Sequence, residues 1–177
     1  MEYLHYYASP LGRLVLCGGG DDGGESGGTL TGLWFERQAY FGSTLLLRSD
    51  DMEERALPVF DLADRWLDAY FSGRQPDFMP PLRLRGTEFR RRVWNLLQQI
   101  PWGQTVTYGQ LARQLAPDGG RMSAQAVGGA VGHNPIGIIV PCHRVVGSNG
   151  SLTGYAAGLE RKKWLLLHEG VRFTSKK

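Results

Sequence analysis

The chain has 177 residues, 42% of them hydrophobic, so it is long enough to bury one core or two small ones. Its two cysteines, Cys17 and Cys142, exclude a disulfide scaffold, and both are expected to remain thiols in a reducing cytoplasm. The N-terminal residues lack the basic stretch and apolar core of a secretory signal, and no apolar run approaches the roughly 20 residues that span a bilayer. These features favour a cytoplasmic protein.

Charge is distributed unevenly along the chain. Residues 1–85 carry 8 Lys and Arg against 13 Asp and Glu, whereas residues 86–177 carry 12 against 4. The first half therefore has a net charge of −5 and the second a net charge of +8. A basic half on an otherwise acidic protein is typical of a nucleic-acid contact, and a merely soluble basic surface would give the same balance.

The pattern of the N-terminal half predicts a hairpin followed by a helix. GRLVLCGGG and GTLTGLWFE alternate apolar residues as strands do, and the glycine-rich loop 18–29 between them is expected to be mobile. In LPVFDLADRWLDAYFSG apolar residues then recur at helical spacing from Phe60 to Phe71, with Gly73 as a stop. A proline-rich stretch follows. We therefore predict an N-terminal domain over 1–78, a linker over 79–86 and a C-terminal domain over 87–177.

Helices dominate the prediction for the C-terminal half. Thr87 is a good N-cap for EFRRRVWNLLQQI, which has one apolar stripe. TYGQLARQL and SAQAVGGAVGHN follow as a helix-turn-helix with a long joining stretch. The second of these helices has almost no side chains, although each glycine in a helix lowers its stability by roughly 1 kcal/mol relative to Ala. Such a smooth surface indicates either close approach to a ligand or tight packing against a neighbouring element. The predicted fold class is α/β, of the α+β kind.

The run GIIVPCHRVVGSNG is predicted as a buried strand that ends on a thiol beside an imidazole. A buried cysteine is most often a small core residue. A nucleophilic thiolate needs a nearby imidazole and a third group to orient it, and Cys142, His143 and Glu169 supply those types. Neighbours on a strand point to opposite faces, so Pro141 must break the strand, or a water must link the side chains, for the pair to cooperate. Zinc-site spacing is absent, so no metal is expected.

Several of these segments resemble the motifs of one family. IVPCHRV is the active-site signature of O6-alkylguanine-DNA alkyltransferases, and IPWGQTVTYGQLA, AVGGAVGHNP and KKWLLLHEG resemble its flanking motifs in the same order. The resemblance is specific over 86–170 and weak over 1–73. It implies direct-reversal DNA repair, in which the alkyl group of O6-alkylguanine or O4-alkylthymine is transferred irreversibly to Cys142. The protein would then be a monomer without a cofactor that acts once on double-stranded DNA, through the minor groove, in the cytoplasm at the nucleoid or in a nucleus.

The same resemblance implies a role for individual residues. His143 would take the proton of Cys142 through a water, Glu169 would hold the imidazole, Asn134 would brace the active-site turn, and Tyr108 would donate to the departing guanine. The residues expected to contact DNA are Thr107, Arg121, Ala124, Gln125, Ala126, Gly128, Gly129 and Arg144. The residues expected to line the base pocket are Pro141, Val145, Val146, Tyr155, Ala156, Ala157 and Gly158.

Gln125 departs from the family pattern, which has an arginine at this position that fills the space left by the flipped base. Glutamine is shorter and uncharged, so we expect weaker base flipping from intact duplex. Two other functions fit the residues. One is a cysteine hydrolase that uses Cys142, His143 and Glu169, and the other is a non-catalytic lesion-binding protein, although the cysteine at position 142 argues against the latter.

Overall fold

The computed structural model describes residues 1–20, 27–46 and 48–172, so part of the loop predicted over 18–29 lies outside the described residues. The chain divides into two compact units, Met1–Arg85 and Gly86–Lys177. The fold is mixed α and β, as predicted. The stretch predicted as the linker belongs to the first unit as far as Arg85, and within it Leu82 forms a backbone bridge to Leu30. In the described part of the chain, no helix combines the length and apolar character needed to cross a membrane.

The first unit contains a three-stranded antiparallel sheet and one long helix. The elements are β1 (Glu2–Ser9), β2 (Gly12–Gly19), β3 (Thr29–Phe35) and α1 (Pro58–Phe71), with β2 as the central strand. The predicted hairpin is β2 with β3, whereas β1 was not predicted from the sequence. The central strand is buried from Leu14 onward because both of its faces are covered.

The two faces of this sheet pack against different groups. On one face lies a buried cluster of Leu4, Val15, Cys17 and Trp34. On the other face His5 stacks on Phe60 of α1, with ring centroids 5.0 Å apart. Cys17 is fully buried, so it is a core residue of β2, and burial raises the pKa of its thiol to about 12.

The pair formed by His5 of β1 and Asp64 of α1 makes the stability of the first unit depend on pH. His5 Nε2 lies 2.9 Å from both carboxylate oxygens of Asp64, and that hydrogen bond raises the pKa of His5 above its ordinary value of 6.5. The pair therefore contributes its full stability below pH 6.5 and loses it as the pH rises through the folded-state pKa. In urea unfolding, the stability difference between wild type and Asp64→Asn should be larger at pH 5.5 than at pH 8.5. A difference that does not change with pH would contradict this pairing.

The second unit is mainly helical. Its elements are α2 (Glu88–Leu97), β4 (Val106–Thr107), α3 (Tyr108–Leu115), α4 (Ala124–Gly132), β5 (Val145–Val146) and α5 (Leu159–His168). Strands β4 and β5 pair in parallel. Thr87 is the N-cap of α2, as predicted, and its side chain accepts from the backbone N–H of Arg90. The indole N–H of Trp94 donates to the carbonyl of Ala130 at 2.8 Å, which fixes α4 against α2.

The segment 136–140 before Cys142 is buried, but the prediction of a strand there is wrong. Its backbone forms consecutive turns, with the amide of Val140 donating to the carbonyl of Ile136 and that of Cys142 to Val140. Ile138 has a φ of +66°, a conformation that is strained for a β-branched residue. The residues of this run are apolar because the surrounding unit encloses them. The turns lead the backbone to the short helix that begins at Cys142.

Candidate active site

Cys142 begins a short 3₁₀ helix, Cys142–Arg144, between the turns of 136–140 and strand β5. Pro141 immediately precedes this helix, with φ −83° and ψ 65°. The chain is therefore not extended at Cys142, and the alternation that would send neighbouring side chains to opposite faces does not apply. All three residues of the helix are buried, and Cys142 is 7% exposed.

Glu169, which follows α5, joins His143 and Arg144 into one buried cluster. His143 Nε2 lies 2.7 Å from Oε2 of Glu169, and the Nε of Arg144 donates to Oε1 of the same carboxylate at 2.8 Å. A second guanidinium nitrogen also donates to Oε1, and a third donates to the carbonyl of Ile100 at 2.5 Å. The carboxylate therefore has both an imidazole and a bidentate guanidinium as partners, an arrangement that fixes its orientation.

Burial and hydrogen bonding set the protonation states of this cluster. Burial disfavours ionisation of Glu169, but the hydrogen bonds from His143 and Arg144 outweigh it and lower the pKa of the carboxyl below its ordinary value. Burial also lowers the pKa of His143 against the opposing effect of Glu169, so the imidazole is neutral. An ionised carboxylate only accepts hydrogen bonds, so Nε2 of His143 carries the proton and Nδ1 carries the basic lone pair.

The thiol of Cys142 is neutral in this structure. Burial raises its pKa, and the opposing influences of a hydrogen bond with the Asn134 side chain and of the Lys162 ammonium are smaller. Asn134 itself is buried, donates to the carbonyl of Val140 at 2.7 Å and accepts from the amide of Ile136 at 3.0 Å. Its amide therefore connects both ends of the turn segment that precedes Cys142.

Lys162 of α5 is a residue of this site that was not predicted from the sequence. It is fully buried, and its Nζ donates to the carbonyls of Thr153 and Gly154, each at 3.0 Å. The hydroxyl of Tyr108 donates to the same Thr153 carbonyl at 3.1 Å. A signal exists in the sequence, because Lys162 precedes the buried Leu165 and Leu166 by three and four residues and so shares their helix face.

Most of the residues predicted to contact DNA lie on or just before the exposed face of α4. Ala124, Gln125, Ala126 and Gly129 are exposed, and a Cβ added at Gly129 would meet nothing within 4 Å. Arg121 is also exposed. Gly128 differs, because a Cβ there would lie 3.7 Å from the ring of Tyr108. Both explanations for the smooth helix therefore apply. Gly128 allows close packing against Tyr108, and Gly129 leaves an open surface.

Arg144 and Thr107 are engaged within the unit. Arg144 was predicted to contact DNA, and this prediction is corrected, because its guanidinium is buried against Glu169 and Ile100 and is not presented to a ligand. Thr107 caps α3: its hydroxyl accepts from the amide of Gln110 at 3.0 Å, and the Gln110 side chain accepts from the amide of Thr107.

The residues predicted to line a base pocket fall into two groups. Those beside the 3₁₀ helix are buried: Pro141, Val145 and Val146. Those before α5 are half-buried or exposed: Tyr155, Ala156, Ala157 and Gly158. Among the residues that the structure describes, no cluster of three or more His, Cys, Asp or Glu side chains could hold a metal ion.

Comparison with known proteins assigns the family. Residues 88–171 match the family model described as 6-O-methylguanine DNA methyltransferase, DNA binding domain. Over 171 residues the chain is 44% identical to the methylated-DNA–protein-cysteine methyltransferase of Mycobacterium tuberculosis strain H37Rv, a match that covers 96% of this chain and 94% of the relative. The chain belongs to the methylated-DNA–protein-cysteine methyltransferase family.

Further members of the methylated-DNA–protein-cysteine methyltransferase family extend this similarity. The Haemophilus influenzae protein of that name is 37% identical over 175 residues, which cover 98% of this chain and 89% of the relative. The crystal structure of the Mycobacterium tuberculosis O6-methylguanine methyltransferase matches with a TM-score of 0.78 at 41% identity, over 99% of this chain and 97% of that chain. A structure of the same organism's protein in complex with DNA matches with a TM-score of 0.77 at 42% identity, over 94% of this chain and 92% of that one.

Proposed function

We propose that this chain repairs DNA by direct reversal, taking the alkyl group of O6-alkylguanine, or of O4-alkylthymine, onto Cys142. The observation that carries the proposal is that Cys142 directly precedes, in one buried 3₁₀ helix, a histidine whose Nε2 is held by Glu169, in a chain similar to methylated-DNA–protein-cysteine methyltransferases over nearly its whole length. We propose that it acts where chromosomal DNA lies, in the cytoplasm at the nucleoid or in a nucleus.

The buried thiol sets the chemistry of the transfer. Because burial raises the pKa of Cys142, a base must remove its proton, and the basic Nδ1 of His143 takes it through a water. The thiolate sulfur then attacks the alkyl carbon, and the bond between that carbon and O6 breaks with its electron pair going to the guanine. The guanine takes up a proton, for which Tyr108 is the donor. The thioether product is stable, so each molecule acts once and no cofactor is needed.

The exposed face of α4 supports docking on DNA through the minor groove. That groove is only about 6 Å wide, so a helix that presents Ala124, Ala126 and Gly129 can approach where larger side chains would clash. The target base lies inside the duplex and must be flipped out, which costs a few kcal/mol of unstacking. The net charge of +8 on residues 86–177 supplies the attraction to phosphates.

Intact-protein mass spectrometry tests the proposed function. After incubation with a duplex that contains O6-methylguanine, the wild-type protein should gain the mass of one methyl group, and peptide mapping should place it on Cys142. A cysteine hydrolase would instead turn over an acyl substrate without DNA, and a lesion-binding protein would bind the duplex with no change in mass. Either of these outcomes would overturn the proposal.

Gln125 is expected to limit the repair of intact duplex. It is exposed on α4 and lacks the charge and planar stacking surface of a guanidinium. We expect Gln125→Arg to raise the single-turnover rate on duplex DNA by about 10-fold, or about 1.4 kcal/mol of activation free energy. The rate on single-stranded DNA should change less, because little unstacking is needed there. Equal duplex rates for the two proteins would show that Gln125 does not limit flipping.

A further inference from the structure

Lys162 is a buried cation whose hydrogen-bond partners are all neutral. Its side chain is fully buried, and within the described residues its ammonium contacts the carbonyls of Thr153 and Gly154 and no carboxylate. Buried charges are normally paired with an opposite charge, because transfer from water is unfavourable. Burial lowers the pKa of Lys162 to about 8, so at pH 7 the ammonium form still predominates. An ammonium that is buried without a carboxylate partner is unfavourable, which indicates that it has a function in the surrounding site.

The carbonyl of Thr153 has two donors. Lys162 Nζ lies 3.0 Å from it and the hydroxyl of Tyr108 lies 3.1 Å from it. The ammonium also lies 5.9 Å from the centre of the Tyr108 ring, and a Cβ added at Gly154 would meet the Tyr108 hydroxyl at 3.9 Å. Lys162, Tyr108 and the loop at 153–154 therefore form one contact network.

This network bears on the role proposed for Tyr108. To donate to the departing guanine, the phenol must release the Thr153 carbonyl that it occupies in this structure. Once a base covers the site, water is excluded, and a carbonyl left without a donor is unfavourable. Lys162 remains bonded to the same carbonyl and to Gly154, so the loop keeps its anchor while Tyr108 exchanges partners.

We propose that Lys162 is a positioning residue of alkyl transfer, whose ammonium holds the carbonyls of Thr153 and Gly154 so that the Tyr108 hydroxyl can move from Thr153 to the flipped base. This inference rests on the proposed function. In it Lys162 touches neither the alkyl group nor the base, and it acts through the loop and through Tyr108.

A double-mutant cycle of Lys162 and Tyr108 tests the inference. Single-turnover transfer from O6-methylguanine duplex would be measured for wild type, Lys162→Met, Tyr108→Phe and the double variant, with Lys163→Met as the matched control on the exposed face of α5. Tyr108→Phe removes the proton donor and should slow transfer by about 10²-fold. Lys162→Met leaves Tyr108 as the remaining donor to Thr153 and should slow transfer by about the same factor. The double variant should then be no slower than either single variant, and Lys163→Met should match wild type.

Two further measurements separate this positioning role from a general loss of structure. Lys162→Gln keeps two N–H donors on an uncharged side chain, so it should recover part of the rate that Lys162→Met loses. It also replaces the Met variant in the cycle if circular dichroism shows that the Met variant does not fold. Hydrogen exchange in the peptide that contains 153–158 should rise in Lys162→Met but not in Tyr108→Phe, because Lys162 still holds the loop in the latter.

The outcomes are distinct. A wild-type rate for Lys162→Met, or effects of the two substitutions that multiply in the double variant, would overturn the inference. Failure of Lys162→Gln to recover any rate would overturn it as well. If the wild-type protein itself transfers no alkyl group, the proposed function fails, whatever the behaviour of the variants at Lys162.

Discussion

Cys142→Ala should abolish alkyl transfer while leaving affinity for alkylated DNA intact. The substitution removes the sulfur nucleophile but leaves the exposed face of α4, which is the proposed docking surface. Ala lacks only the sulfur atom of Cys, so the buried 3₁₀ helix loses the thiol's hydrogen bond with Asn134 and gains a small cavity but keeps its backbone hydrogen bonds. The measurement is the loss of O6-methylguanine from the duplex together with a binding titration at fixed salt, since affinity for DNA depends steeply on ionic strength.

Cys17→Ala is the matched control for that experiment. Cys17 is the second thiol of the chain and is buried in the sheet of the first unit. Its removal should lower stability modestly through a small cavity and leave transfer unchanged. If Cys142→Ala still removed the alkyl group from DNA, the assignment of the nucleophile would be contradicted. The same would follow if Cys17→Ala failed to remove it at a temperature where that variant is folded.

His143 and Glu169 should behave as one unit in mutant kinetics. His143→Ala and Glu169→Gln should each lower the rate of transfer by about 10²- to 10⁴-fold, because the first removes the base and the second removes the group that fixes its tautomer. The double variant should be no slower than the more damaged single variant, since residues that act together are not additive. A rate that falls by the product of the two effects would argue against this relay.

Glu169→Gln also tests the structural part of the cluster. The change leaves the buried guanidinium of Arg144 without its carboxylate, and loss of one partner of a buried ion pair costs about 3–5 kcal/mol of stability. The variant should therefore unfold at lower urea concentration than His143→Ala, and its kinetics must be measured where circular dichroism shows it folded. Glu160→Gln, an exposed change on the same helix, should alter neither stability nor rate.

The helices were the part of the fold that sequence reasoning predicted well. The segments predicted as α1 to α4 all form helices, because apolar spacing and capping residues such as Thr87 are local properties that sequence records directly. Strand β1 was not predicted, because aromatic and polar residues occur on both of its faces and apolar and polar residues therefore alternate little along it. The run 136–140 was predicted as a strand because its apolar residues indicate burial but not backbone conformation. The segment is buried because other elements pack around it.

The candidate site shows the same division between local and tertiary information. The pairing of His143 with Glu169 was expected from the motifs that carry them, and the distance between them remained to be measured. Arg144 was expected to contact DNA from the family resemblance, and only the fold shows that its guanidinium pairs with the same Glu169 carboxylate that holds His143. The sequence alone does not show which of the neighbouring lysines Lys162 and Lys163 is buried. Lys162 is buried because the loop at 153–154 covers it.

Burial of the reacting groups also determines how the site exchanges protons with its surroundings. Cys142, His143 and Glu169 are 7%, 0% and 4% exposed. The thiol gives up one proton in the proposed reaction and the departing guanine gains one, and the thiol and the imidazole that receives its proton are shielded from bulk water. In the proposed reaction His143 takes the proton that sulfur loses and Tyr108 supplies the proton that guanine gains, so passage of one proton from His143 back to Tyr108 restores both groups. The overall reaction then neither releases a proton to the buffer nor takes one from it.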